Sequence, residues 1–451
     1  MIIKGKQVLV VGLARTGVAL TTYLQSRGAR VTVTDSKNKT DLEPVLKQLA
    51  QVKRVKYELG RHVLKTFISS DLIIVSPGVP SDMEYLEKAK AKKIPVISEL
   101  EFAAQHIKLP MIAVTGTNGK TTTTMVIGQM LKNARKNVFV GGNIGNALTN
   151  MLLSKEAYQA VVVEVSSFQL ELIQTFQPKV SIILNITLDH LDRYQNMDQY
   201  VAAKARIFEN QKATDFLILN NNDPLVSGMG GSSKVQKLFF GLDKLEAGRE
   251  GIVYKDGKLQ LKSKKFGNEV FSVDHLKITG IHNKENIMAS ILAAKVLRCS
   301  SKAIQQTIDT FEGLPHRLEF VKTRGYVDFY NDSKATNVDA VKRALESFEK
   351  PLILIMGGRD KGGHFEELRT LIQKKVKAMI LMGEAKSIIN RAIGDYTETF
   401  VVGTLAEAVY MAYQKSRAGD VILFSPGCSS FDEFKNYEHR GDSFKDLLRD
   451  L

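Results

Sequence analysis

The chain has 451 residues, 44% hydrophobic and 25% charged, the composition of a folded protein long enough for about three domains of ordinary size. No apolar run approaches the ~20 residues that cross a bilayer, the start Met1-Ile2-Ile3-Lys4-Gly5-Lys6 lacks the form of a signal peptide, and Cys299 and Cys428 have neither disulfide-framework nor zinc spacing, so a reducing cytoplasm is expected. The net charge of +15 is spread along the chain and its lysine-rich runs, at 88–93 and 262–265, read as solvated surface; an anionic small substrate suits such a protein as well as a nucleic acid does, so charge leaves the function open.

Residues 1–108 alternate short apolar strands, at 8–11, 31–34, 72–75 and 95–97, with helical segments such as 18–27, the rhythm of a parallel α/β sheet. Gly12-Leu13-Ala14-Arg15-Thr16-Gly17 follows the first strand and Asp35 ends the second, as in a dinucleotide fingerprint. Ala14 replaces the middle glycine, and its methyl obstructs a pyrophosphate. A nicotinamide cofactor, another nucleotide-like ligand and a purely structural turn all stay open. Ser76-Pro77-Gly78 follows a later strand and faces the same sheet edge.

A second unit begins at Pro110. Its apolar run Met111-Ile112-Ala113-Val114-Thr115 feeds Gly116-Thr117-Asn118-Gly119-Lys120-Thr121-Thr122, a strand, a glycine-bearing turn and a helix start. Amides at a helix start point at an anion, a lysine there neutralises nucleotide phosphates and a threonine hydroxyl takes a place on Mg²⁺. Only two residues separate Gly116 from the Gly119-Lys120 pair, so this phosphate loop is a variant. Strands are expected at 160–165, 180–185 and 216–220, short strands and loops at 228–275, and a helix at 283–297.

Glu164 closes the apolar run from Ala160, where a carboxylate either holds Mg²⁺ beside a phosphate loop or caps the next helix. The strand leaving Leu184-Asn185-Ile186-Thr187 runs into Asp189, His190 and Asp192; His190 is a ligand candidate or a satisfied structural residue. Lys204 lies four residues from both Tyr200 and Phe208, on their apolar face. Such a lysine either lets its ammonium reach solvent or is held desolvated, with its neutral amine chemically available. Helix geometry leaves both readings open.

After Gly313-Leu314-Pro315 the βα rhythm restarts at 327–330, 352–356, 378–382 and 421–424. Three polar strand exits, at 330–337, 356–363 and 425–434, argue for a ligand-binding edge. Glu438-His439-Arg440-Gly441 reads as a helix end. The expected organisation is three α/β domains in series, at 1–108, 109–314 and 315–451.

Together these motifs resemble the Mur ligase family, ATP-dependent amino-acid ligases of peptidoglycan precursor synthesis. The resemblance spans the chain and rests on GTNGKTT at 116–122, EVSSFQLE at 164–171, NITLDHLDRY at 185–194, AAK at 202–204, GLPHR at 313–317 and NDSKATN at 331–337. The first glycine turn with Asp35, SPG at 76–78, MGGRDKGGHF at 356–365 and SPGCSSFDEFKNYEHRG at 425–441 are most similar to members that join D-glutamate to UDP-N-acetylmuramoyl-L-alanine. The alternatives are another amino acid as substrate or, outside the family, a nicotinamide-dependent oxidoreductase or a nucleotide-dependent switch.

The resemblance implies a Rossmann-like UDP-binding domain, a central P-loop-type ATPase domain with a mainly parallel sheet, and a Rossmann-like C-terminal domain. It implies that Gly116, Thr117, Asn118, Gly119, Lys120, Thr121 and Thr122 hold the ATP phosphates, and that Asn283, Arg317 and Asp332 contact the nucleotide. Thr121 and Glu164 would bind one Mg²⁺. His190 would help bind a second, with Lys204 carrying a CO₂-derived carbamate. Lys334 would stand near the transferred phosphate. Arg15, Thr16, Asp35, Ser36, Lys37 and Gly78 would meet the uridine diphosphate, with Asn143 toward the sugar end. Thr336, Lys361, Ser430 and Tyr437 would form the D-glutamate site. The implied protein is a monomer with no nucleic-acid partner and no membrane insertion.

Overall fold

The structure, a computed structural model, describes residues 2–187, 193–278 and 280–451. The chain forms two compact units: Met1–Ile186 with Asp198–Phe271 and Ile287–Thr307, and Thr187–Met197 with Ser272–Asn286 and Ile308–Leu451.

The first unit contains two sheets. Strands β1 (Gln7–Val11), β2 (Arg30–Asp35), β3 (Val55–Leu59), β4 (Leu72–Val75) and β5 (Val96–Ser98) pair in parallel in the order β3-β2-β1-β4-β5. The core strands are continuous Val/Leu/Ile runs because both faces are covered, by a cluster around Val10, Leu20 and Phe102 and another around Leu9, Phe67 and Leu86. The edge strand β3 carries Lys56 and Glu58, so its alternation of charge hides it from an apolar-run reading.

The second sheet comprises β6 (Met111–Thr115), β7 (Val138–Gly142), β8 (Ala160–Glu164), β9 (Val180–Ile183), β10 (Phe216–Asn220), β11 (Gln236–Leu242), β12 (Gly251–Lys255), β13 (Lys258–Ser263) and β14 (Gly267–Ser272). Its order is β14-β13-β12-β11-β10-β9-β6-β8-β7, parallel from β7 to β12, with β13 antiparallel to β12. The polar stretch expected as short strands and loops supplies β11 to β14.

Two acids on the helix Glu99–Ala104 tie the first sheet's layer to the second. Glu99 is fully buried and accepts the Thr149 N–H and hydroxyl at 2.6 Å each; burial pushes its carboxyl up. Glu101, also buried, accepts the backbone N–H groups of Gln174, Thr175 and Phe176 at 3.0, 3.0 and 2.9 Å, with the Thr175 hydroxyl at 2.6 Å.

The second unit is built on β15 (Glu319–Arg324), β16 (Val327–Asn331), β17 (Leu352–Gly357), β18 (Val376–Met382), β19 (Glu398–Val401) and β20 (Val421–Gly427), ordered β15-β16-β20-β17-β18-β19. All neighbours are parallel except the β15–β16 hairpin. Apolar clusters around Val341 and Ile372 on one face and Ala408 and Phe444 on the other sandwich it.

Glu101→Ala leaves three backbone N–H groups, that of Phe176 buried, without their acceptor. It is expected to lower the stability of the first unit by about 3 kcal/mol in urea unfolding followed by circular dichroism.

Candidate functional site

The strand order reverses about β6, with β9 on one side and β8 on the other, and α/β sheets bind ligands at the carboxyl ends of strands where this occurs. The phosphate loop leaves β6 at that point and enters the helix Lys120–Asn133 through Gly119, whose φ of +87° lies in the left-handed region favoured by glycine. The N-cap glycine brings no capping side chain of its own, and the N-terminal end of a helix favours an anion.

Two lysines converge on the loop. Lys120 Nζ donates to the carbonyls of Gly116 at 3.0 Å and Thr117 at 2.7 Å. Lys204, on the helix Met197–Ala205 and only 2% exposed, donates to the same Gly116 carbonyl at 2.9 Å, and its ammonium lies 4.4 Å from the centre of the Tyr200 ring. Of the two geometries left open for Lys204, the buried one is observed.

Beside the loop, the Thr121 hydroxyl donates to Glu164 Oε2 at 2.7 Å, and Asn143 Nδ2 donates to Oε1 at 3.0 Å. Asn143 reaches Glu164 because Gly142 and Glu164 are paired across β7 and β8. A hydroxyl, a carboxylate and an amide are the hard donors that suit Mg²⁺. The hydroxyls of Thr115, Thr122 and Thr124 are buried and have no hydrogen-bond partner among the described residues. An oxyanion against the Thr122 hydroxyl fits that orphaned donor. His190 lies outside the described residues.

The first glycine turn opens where β1 separates β2 from β4, the corresponding reversal of the first sheet. Asp35 Oδ2 accepts Leu13 N–H at 2.7 Å and Oδ1 accepts Lys37 N–H at 2.9 Å, while the Ser76 hydroxyl donates to the Gly12 carbonyl at 2.9 Å. A Cβ on Gly17 would lie 2.3 Å from the Gly12 oxygen, so glycine there permits the close strand–helix packing. Arg15 and Thr16 open the helix Arg15–Ser26, and Ser36, Lys37 and Gly78 leave β2 and β4 at the same edge. Asn143 is placed on the second sheet instead.

In the second unit the exits of β16, β17 and β20 carry the predicted polar residues. Asp332 is fully buried; it accepts Leu318 N–H at 3.1 Å and the Ser425 hydroxyl at 2.8 Å, and burial pushes its carboxyl up to about 7 against the opposing pull of Arg317 and Arg440. Asn283, in the first turn of the helix Ile281–Val296, accepts from Asn286 Nδ2 at 3.1 Å. Its neighbour His282 is pushed down to about 3 by burial, with Arg317 and Arg343 adding to the effect, so its ring is neutral. Thr336 and Lys361 line a cavity of about 200 Å³ with Asn337, Asp360, Gly363 and His364. Ser430 and Tyr437 are not among its lining residues. Lys334 instead places its ammonium 5.3 Å from the centre of the Tyr437 ring.

Sequence reasoning missed what joins these exits. Arg440, 1% exposed, donates through Nε to the Ser333 hydroxyl at 3.0 Å, through Nη2 to the Ser333 carbonyl at 2.8 Å and through Nη1 to the Cys428 carbonyl at 3.1 Å. Burial pushes its guanidinium down to about 10. The expected helix end is the first turn of the helix Tyr437–Asp450. The available signal was spacing: Arg440 falls four and eight residues before the buried Phe444 and Leu448, on the apolar face.

Family models cover most of the chain: a Mur ligase MurD-like N-terminal domain matches residues 6–98, a Mur ligase middle domain 114–294 and a Mur ligase glutamate ligase domain 316–428. The UDP-N-acetylmuramoylalanine–D-glutamate ligase of Citrifermentans bemidjiense is 48% identical over 100% of this chain and 98% of its own. The chain belongs to the Mur ligase family. A protein of the same name from Bdellovibrio bacteriovorus is 46% identical over 99% of this chain and 98% of its own. Among solved structures, MurF of Acinetobacter baumannii superposes with TM-score 0.63 at 19% identity, covering 99% of this chain and 91% of that one. The UDP-N-acetylmuramate–alanine ligase MurC of Thermotoga maritima gives 0.60 at 20% identity, covering 99% of each. These likenesses show the fold, with its N-terminal, central and C-terminal domains.

Asp332 titrates higher folded than unfolded, so the stability tied to its neutral form is complete below the ordinary carboxylate range and is lost as pH rises through about 7. Asp332→Asn is expected to remove that loss. Thermal midpoints of the two proteins should diverge in favour of the variant between about pH 4 and pH 7 and stay apart above it.

Proposed function

We propose that this protein is an ATP-dependent ligase that joins D-glutamate to UDP-N-acetylmuramoyl-L-alanine, releasing ADP and phosphate, in the cytoplasmic building of peptidoglycan precursors. The observation that carries this reading is the likeness, over the full length of the chain, to relatives named for that reaction. We assign the three domains to 1–108 for the UDP-linked substrate, 109–314 for ATP and 315–451 for the amino acid, and take the chain to act as a monomer.

A carboxylate is a poor acyl donor because oxide would have to leave. Transfer of the terminal phosphoryl group of ATP to the substrate's L-alanine carboxylate gives an acyl phosphate. The D-glutamate amine then adds to that carbonyl, loses a proton, and phosphate departs to leave the amide. The protein's task is to position the partners and offset charge. In this reading the amides of Gly119 to Thr122 and the Lys120 ammonium hold the ATP phosphates, and Asn283, Arg317 and Asp332 hold the rest of the nucleotide. Lys334 offsets charge on the transferred phosphate. Asp35, with Arg15, Thr16, Ser36, Lys37 and Gly78, receives the uridine diphosphate, and Asn143 stands toward the sugar. Thr336 and Lys361 in their cavity, with Ser430 and Tyr437, receive D-glutamate.

Thr121 and Glu164 would hold Mg²⁺, with His190 and a modified Lys204 serving a second ion. Bound Mg²⁺ supplies charge neutralisation of the phosphates. The Lys204 modification is addition of the neutral amine to CO₂: an N–C bond forms, one proton leaves and a carbamate replaces a cation. The burial of Lys204, 2% exposed, supports it, because desolvation disfavours the ammonium.

The deciding experiment measures ADP release with each substrate omitted in turn and with a panel of amino acids. Release that needs both UDP-N-acetylmuramoyl-L-alanine and D-glutamate is expected; release with L-lysine or diaminopimelate instead would overturn the substrate assignment. Lys204→Ala should cut kcat at least about 100-fold while equilibrium ADP binding changes little. Lys361→Ala should raise the KM for D-glutamate about tenfold or more through loss of a charge-assisted bond to a substrate carboxylate, leaving the KM for ATP near its original value in steady-state kinetics.

A further inference from the structure

We propose that Asn185 is a positioning residue that shapes the phosphate loop by acting as one more rung of the β6–β9 ladder. The two strands pair in parallel from Ile112 opposite Val180 to Thr115 opposite Ile183. Beyond them the Leu184 N–H still donates to the Thr115 carbonyl, at 3.0 Å, and the Thr117 N–H donates to the Asn185 carbonyl at 2.9 Å. The Asn185 side chain then takes over. Its Oδ1 accepts Asn118 N–H at 2.8 Å and its Nδ2 donates to the Asn118 carbonyl at 3.1 Å. A primary amide carries a donor and an acceptor in one plane, as a peptide group does, so it pairs with both backbone groups of one residue. Aspartate accepts but does not donate, and alanine does neither.

The segment bearing Asn185 is itself anchored. Asn220 Nδ2 donates to the Leu184 carbonyl at 3.0 Å, and the Ile186 N–H donates to Asp223 Oδ2 at 2.8 Å. The other Asp223 oxygen caps the helix Pro224–Ser227, receiving Leu225 and Val226 N–H at 2.9 and 3.1 Å. Asn185 is 6% exposed. A fixed post therefore holds Thr117 and Asn118. The consequence for binding is specific: the N–H groups of Thr117 and Asn118 are engaged by Asn185 and are withheld from the phosphates. This narrows the loop expected from sequence, in which every residue from 116 to 122 met the nucleotide, and it gives the two-residue gap between the glycines a physical role.

The inference rests on the reading that this loop holds ATP phosphates. Asn185→Asp and Asn185→Ala, with Lys120→Ala as reference, are measured for Mg²⁺·ADP affinity by calorimetry and for the KM of each substrate. Both Asn185 variants are expected to lose at least about tenfold in ADP affinity and to raise the KM for ATP alone, with thermal midpoints near that of the parent. Unchanged ADP affinity in a folded Asn185→Asp, or a loss spread evenly over all three substrates, overturns the proposal. If Lys120→Ala loses affinity while Asn185→Asp keeps it, only the role of Asn185 fails; if Lys120→Ala also keeps it, the phosphate reading of the loop fails. Should the variants not fold, hydrogen exchange of the parent protein decides: protected Thr117 and Asn118 amides support the rung, and fast-exchanging ones overturn it.

Discussion

One carbonyl oxygen, that of Gly116, draws two lysines to the glycine-bearing turn after β6. Gly116 accepts both the Lys120 and the Lys204 ammonium, so the two cations are no farther apart than those two bonds laid end to end. At about 6 Å and an effective dielectric constant near 20, two positive charges repel by roughly 3 kcal/mol. An anion at the loop, or exchange of the Lys204 charge for a negative one, lowers that pairwise repulsion, and the proposed reaction provides both. Burial of Lys204 beneath Tyr200 is thus costly in a lone helix and purposeful beside this loop.

Sheet topology sets where this loop and the other polar strand exits lie. In a parallel sheet the chain leaves each strand at the same edge, and a reversal of strand order opens a crevice there. The first sheet opens it between β1 and β4, beside the glycine turn braced by Asp35 and Ser76; the second opens it at β6, at the phosphate loop. In the third sheet β20 lies between β16 and β17, so the exits carrying Asp332, Lys361 and Ser430 are neighbours, although they are far apart in sequence. Arg440 joins two of them with three hydrogen bonds from one guanidinium, whose planar fork suits carbonyl and hydroxyl acceptors better than a lysine would.

Much of this was legible in the chain. Buried strands such as 72–75 and 352–356 are continuous apolar runs, and the phosphate loop announces itself through glycine, lysine and threonine at fixed offsets. The edge strand β3 was not legible, because it alternates apolar residues with Lys56 and Glu58. Nor were Arg440, Asn185 and Glu101. Each is a polar residue whose role depends on groups brought to it by distant segments, and helix or strand periodicity says nothing of those. Lys204 shows the boundary most clearly. Spacing placed it on the apolar face, and the Gly116 carbonyl that accepts its ammonium comes from a segment 88 residues away.

The contacts of Glu164 suit the cation-binding role proposed for it. A buried carboxylate paired with lysine has its charge answered already and gains little from a metal. Here the two partners are neutral: the Thr121 hydroxyl on one oxygen and the Asn143 amide on the other. They fix the direction of both oxygens while leaving the negative charge uncompensated by these contacts, which is the state a divalent ion binds best. Swapping either partner for a cation would give a tighter carboxylate and a weaker metal site.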